Sequence, residues 1–135
     1  MSKASDESLG TAEDDYEYAK SLLKNGDYHY SCFYAQQVGE KAVKAALQKL
    51  GVSRDKGSVS TLINELMTVA KVPPEMLNTA QILDGCFVPP AFRGVSNLSA
   101  PPQEYNKERA DTALKHARKL IDFLKKITGS KRGST

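Results

Sequence analysis

The residues best placed to do chemistry lie in segment 28–50, YHYSCFYAQQVGEKAVKAALQKL. Ser31, Ala35, Val38, Ala42, Ala45 and Lys49 recur there at steps of three or four, the spacing of one helical face. Phe33, Gln37, Glu40 and Lys44 form the neighbouring row, with Lys41 beside it. The row presents amides and both signs of charge, the groups that hold a polar ligand or a partner's surface. It reads equally as the ordinary surface of a bundle helix. Glu40 and Lys44 are spaced as an i,i+4 ion pair worth about 0.3 kcal/mol, and Gln36 or Gln37 can cap a loop carbonyl.

Four other positions could carry chemistry. Arg109 and His116 are seven residues apart, which puts both on one face of a helix. Histidine moves protons near neutral pH and arginine holds anionic oxygens, yet two polar residues beside a core stripe also match so loose a pattern by chance. Cys32 and Cys86 make neither a disulfide framework nor a zinc spacing, and their apolar flanks suit small buried side chains. His29, one residue past a candidate N-cap, reads as a surface or interface histidine. No Gly-rich phosphate loop, paired-carboxylate motif or metal-ligand spacing occurs, so neither cofactor nor metal is expected.

The elements that must position these residues are helices. Segment 9–24 places Ala12, Tyr16, Ala19 and Leu23 on one face. Asn25-Gly26 then ends it as a left-handed C-cap does, and Asp27 can cap the next helix. So short a turn makes the two helices antiparallel. Gly51 closes the second helix, a third runs over about 59–70, and Pro73-Pro74 starts a shorter fourth that Gly85 stops. Segment 86–105, with two Pro-Pro pairs, fits neither helical nor strand period, and loops of about twenty residues tend to be functional or mobile. Asn106 is a good N-cap for the last helix, Tyr105 and Ala110 can form its hydrophobic staple, and apolar spacing continues to Ile127. No segment alternates like a strand. The expected fold is all-α, an antiparallel up-and-down bundle of four to five helices.

At 135 residues, with 40% apolar and 26% charged, the chain fits one globular domain. We expect residues 1–8 to be disordered, 9–128 to form the domain, and 129–135 to be a flexible basic tail. No stretch approaches the roughly 18 apolar residues of a membrane span, and the polar N-terminus lacks a signal-peptide core; both point to the cytoplasm. The net charge is +3, but residues 1–19 hold six acids and one Lys, whereas 107–132 hold nine Lys or Arg against three acids. Such a basic helix suits a phosphate backbone or an acidic protein face, and reads equally as a solvated helix surface. Few aromatics accompany it to stack bases.

Residues 33–47, FYAQQVGEKAVKAAL, run aromatic-x-Ala-Gln-Gln-x-x-Glu-Lys-Ala-x-Lys-Ala through Phe33, Ala35, Gln36, Gln37, Glu40, Lys41, Ala42, Lys44 and Ala45. AKSLLKNGDYHYSC lies upstream, and FVPPAFR, PPQEY and an AxxALxxA helix lie downstream. Together they resemble HEPN domains, the nucleotide-binding-type helical domains of higher eukaryotes and prokaryotes, over about residues 10–127. The resemblance implies a four- or five-helix bundle, often a homodimer, that commonly partners a minimal nucleotidyltransferase in toxin–antitoxin or nucleotide-handling modules. Active members are metal-independent ribonucleases whose Arg and His meet at a dimer interface. There His would move the ribose 2′-OH proton and Arg would hold the phosphorane charge.

This chain departs from that pattern. Arg93 matches the family's loop Arg, but Leu98, Ser99 and Ala100 stand where the His should fall, and Ser60 occupies the place of a His before the third helix. The resulting expectation is a non-catalytic homodimeric binding module that partners a minimal nucleotidyltransferase and/or binds nucleotide or RNA. Gln37, Glu40, Lys41, Lys44 and Arg93 would form its binding surface. The alternatives are a ribonuclease toxin using Arg93 or the Arg109/His116 pair, and a helical interaction adaptor without a ligand. Tyr28, Tyr30, Phe33, Tyr34 and Val38, spread around the second helix, are more apolar surface than one bundle partner covers, which favours self-association.

Overall fold

A computed structural model describes residues 2–54, 57–86 and 105–129, with side chains from residue 9 onward. These residues form five helices and no strand: α1 (Ser2–Lys24), α2 (Tyr28–Lys49), α3 (Val59–Met67), α4 (Glu75–Asp84) and α5 (Lys107–Thr128). The all-α bundle expected from the periodicity is therefore present. One boundary differs. α1 begins at Ser2, ahead of the start near Leu9 that the apolar spacing gives. Nothing in SKASDES breaks a helix, since it holds neither Pro nor Gly.

The α1–α2 hairpin turns at Gly26, whose φ of 84° few other residues would adopt. Gly26 N–H donates to Leu23 O and Asp27 N–H to Leu22 O, the paired bonds of a Schellman C-cap. The cap expected of Asp27 on α2 is not made. Its backbone already serves the end of α1, and its carboxylate leans towards His29, with Oδ1 3.9 Å from Nδ1. Near the turn, Ser31 Oγ donates to Ala19 O at 2.8 Å. Farther along both helices Lys41 Nζ meets Asp15 Oδ2 at 2.6 Å, so α1 and α2 run antiparallel.

α2 is the central helix, in contact with all four others. The row Ser31, Ala35, Val38, Ala42 and Ala45 is fully buried, while Phe33, Gln37, Glu40 and Lys44 are half-buried beside it. Gly39 lets α3 and α4 approach: a Cβ there would lie 2.9 Å from Leu83 Cδ1 and 3.2 Å from Val59 Cγ2.

α3 and α4 pair head to tail. Asp84 at the end of α4 accepts from the N–H groups of Val59 (2.7 Å) and Ser60 (3.2 Å) at the start of α3. It thereby satisfies two open donors and places a negative charge at the positive helix end. Ser60 also donates its hydroxyl to Asp84. α5 opens as expected, with Asn106 Oδ1 accepting from Arg109 N–H at 2.8 Å. Tyr105 and Ala110 are both buried in the core beside it. Gly129 closes α5 with φ 70°. No described helix is long and apolar enough to cross a membrane.

Candidate functional site

The polar row of α2 is one connected network. Gln37 Nε2 donates to Gln36 Oε1 (2.8 Å), Gln36 Nε2 reaches Glu40 Oε1 (3.5 Å), and Lys44 Nζ reaches Glu40 Oε2 (3.1 Å). Gln36, almost fully buried, thus spends its amide on a helix neighbour and not on a loop carbonyl. Lys41 points the other way, to Asp15 on α1. The predicted residues therefore split. Gln37 and Glu40 stay within the α2 network, whereas Lys41 and Lys44, the latter while still paired with Glu40, line a cleft of about 460 Å³.

That cleft is lined by Thr11 of α1, by Lys41, Lys44, Ala45 and Gln48 of α2, and by Ser53 and Arg54 of the following connection. Arg54 was not among the residues singled out from sequence. It reaches the cleft because Gly51 (φ 87°) reverses the chain at the end of α2 and Val52 N–H closes on Leu47 O. Glu65 on α3 then holds its guanidinium at 2.6 Å. Three cations and three neutral polar groups thus converge in a volume suited to a small ligand. Each cation also has a carboxylate partner: Asp15, Glu40 and Glu65 respectively. Such an arrangement fixes the cationic heads in place, and ammonium and guanidinium groups carry more N–H donors than one carboxylate takes, which suits them to anionic oxygen as well.

Arg109 and His116 lie elsewhere, on the face of α5 that meets α4. Arg109 donates to the carbonyl of Gly85 at the end of α4 and sits over the ring of Tyr105, 5.4 Å from its centroid. His116 Nδ1 is 3.1 Å from the hydroxyl of buried Thr79 on α4. Burial, and then the charge of Lys119, push the His116 imidazole below its ordinary range, towards the neutral form. Both side chains fasten α4 to α5. Arg93 and the 87–104 part of the predicted loop lie outside the described residues, as does the 130–135 part of the tail.

His29 is not a surface residue. It is fully buried, stacked on Tyr30 at 4.8 Å and tilted against Tyr105 at 5.6 Å. The basic helix α5 is likewise partly internal. Arg118 pairs with Glu13 through both terminal nitrogens, Lys125 also contacts Glu13, and Arg118 lies 4.8 Å from the Tyr16 ring centroid. Lys107, Lys115, Lys119 and Lys126 remain exposed. Among the described residues no three His, Cys, Asp or Glu side chains gather where they could hold a metal ion.

Comparison with known proteins gives this arrangement a context. The HEPN domain family matches residues 5–127. A Methanocaldococcus jannaschii protein named "Putative toxin MJ1304" is 32% identical over 131 residues, spanning 90% of this chain and 86% of its own. The crystal structure of TT1696 from Thermus thermophilus superposes with a TM-score of 0.79 at 27% identity, over 90% of this chain and 96% of that one. The HEPN domain protein TM0613 of Thermotoga maritima gives 0.74 at 32% identity, over 91% and 98%.

Proposed function

The chain belongs to the HEPN domain family, and on that footing we propose that it is a non-catalytic, homodimeric binding module whose charged cleft takes a phosphate-bearing ligand, a nucleotide or RNA. One observation carries the reading: Lys41, Lys44 and Arg54 converge from two elements on a cleft that also offers Thr11, Gln48 and Ser53. Anionic oxygens suit such donors, and binding of this kind weakens with salt. Family membership supports, within the same proposal, a minimal nucleotidyltransferase as the protein partner. Self-association is favoured by the half-exposed Tyr18, which meets Tyr34 edge-on at 4.9 Å, with Phe33 next to it at 5.3 Å.

Calorimetric titration with ATP and with a short single-stranded RNA, at low and at moderate salt, tests the cleft. Binding that falls about tenfold in Lys44→Ala and in Arg54→Ala, with thermal midpoints near the parent's, supports it. Unchanged affinity in both variants, or no binding by the parent, sinks it. Sedimentation showing only monomer at tens of micromolar would remove the homodimer.

The toxin name of the archaeal relative favours a second reading, a metal-independent ribonuclease. Against it stand the engagements of Arg109 with Gly85 and of His116 with Thr79. RNA cleavage in the presence of a chelator, lost in His116→Ala or in Arg93→Ala, would install the ribonuclease in place of the binding module.

A further inference from the structure

The ion pairs of the charged cleft are oriented. Lys41 Nζ meets Asp15 Oδ2 at 2.6 Å, Lys44 Nζ meets Glu40 Oε2 at 3.1 Å, and Arg54 meets Glu65 Oε2 at 2.6 Å. The three cations line the cleft and none of these three carboxylates does, so each pair turns its positive end inward. Donors remain: Lys41 has three N–H groups for one acceptor, and Arg54 has five for two, Glu65 and the carbonyl of Ser53. Lys41, Lys44 and Gln48 follow one another at steps of three and four along α2, which spreads them over about 10 Å.

The walls offer little to a base. Among the described lining residues the one hydrocarbon side chain is Ala45, which is small and buried. Thr11, Gln48, Ser53 and Arg54 around it are exposed. No aromatic ring lines the cleft among the described residues, and the connection from Gly51 to Ser58 contains none in its sequence. Nucleobases are held by stacking on rings or between apolar walls, so a base finds no seat here.

On the footing that this cleft takes a phosphate-bearing ligand, we infer that it recognises phosphate and not base. Its ligand class is a compact run of consecutive phosphates, as on a nucleoside triphosphate or at the 5′ end of a triphosphorylated RNA, whatever base is attached. The field of an ion pair falls off faster than that of a lone charge, because at a distance the carboxylate cancels the cation. The cleft therefore attracts little from afar and rewards an anion that brings several charged oxygens to Lys41, Lys44 and Arg54 together. Consecutive phosphates do so along the α2 row. Internal RNA phosphates, one per nucleotide, bring too few charges into so small a volume. Base and ribose extend past the exposed rim into solvent.

The test is calorimetric titration of the intact chain, with EDTA present, using ATP, GTP, CTP, inorganic tripolyphosphate and AMP. The three triphosphates and tripolyphosphate should bind within about threefold of one another, and AMP about tenfold more weakly. One short RNA should bind about tenfold more tightly with a 5′-triphosphate than with a 5′-hydroxyl. Lys44→Gln and Arg54→Gln should each weaken tripolyphosphate about tenfold, whereas Lys119→Gln and Lys126→Gln on the exposed face of α5 should leave it unchanged. The series on the parent chain decides the matter should a variant fold poorly. ATP binding without tripolyphosphate binding, a preference for one base, or equal affinity for the two RNA ends would overturn the inference and leave a phosphate-bearing ligand standing. Tripolyphosphate affinity that follows the α5 lysines instead of Lys44 and Arg54 would place the anion elsewhere and overturn it too. No binding by any of these ligands would remove the cleft reading and this inference with it.

Discussion

Arg118 lays both terminal guanidinium nitrogens on the two carboxylate oxygens of Glu13, at 2.9 Å each, and so joins α5 to α1 across a sequence separation of 105. Burial pushes the Glu13 carboxyl up, but the hydrogen bonds and charges of Arg118 and Lys125 outweigh it and hold the group below the ordinary carboxylate range. A carboxyl lowered in the folded state stabilises above its unfolded value, near about 4.3, and loses that contribution as pH falls through the folded value. Glu13→Gln should therefore cost about 2 kcal/mol in urea unfolding at pH 7. Parent and variant should converge as pH falls through the lowered Glu13 value, and a gap independent of pH would assign the effect to packing.

Asp84 supports the N-terminus of a helix it does not belong to, alongside the N-cap Ser58, whose hydroxyl accepts from Thr61 N–H. Asp84→Ala leaves the N–H groups of Val59 and Ser60 without that acceptor, and should lower stability by about 1–2 kcal/mol. α3 has only nine residues, so hydrogen exchange should quicken there before it does in α2. Uniform acceleration across all helices would refute a local role.

Gly39→Ala should destabilise by about 1–2 kcal/mol despite the better helix propensity of alanine, because its methyl meets Leu83 and Val59. Leu83→Val should relieve part of that cost. A double-mutant cycle in denaturant with no coupling between the two sites would mean that the contact is not what limits the helix approach.

His116 should titrate below the ordinary imidazole value of 6.5, as its burial and the nearby Lys119 require. Its ring resonances followed by NMR from pH 4 to 8 report this directly. A midpoint above 6.5 would place an undetected carboxylate at the ring and revive a proton-transfer role for the residue.

The sequence made legible what short-range periodicity and local turn chemistry decide. Gly26 and Asn106 act as their types suggest, and the row from Ser31 to Ala45 is buried as its spacing requires. Most of the misses depend on residues farther along the chain. His29 is internal because Tyr105 folds over it, and no local pattern near position 29 reports on that. Arg54 joins Lys41 and Lys44 only because Gly51 turns the connection back, with Glu65 positioned on α3 to receive it. Asp27 is a different case: its carboxylate makes no cap bond to α2 and leans towards His29, two residues on.

The central place of α2, covered on one side by α1 and on another by α5, has a consequence for biogenesis. The α1–α2 hairpin rests on local contacts and can assemble as soon as it leaves the ribosome. The groove that receives Leu120, Ile121 and Leu124 stays open until the last helix has been synthesised. Until then Glu13 awaits its guanidinium, and the nascent chain carries an apolar trough that a chaperone, or a second chain's C-terminal helix, could occupy in its place.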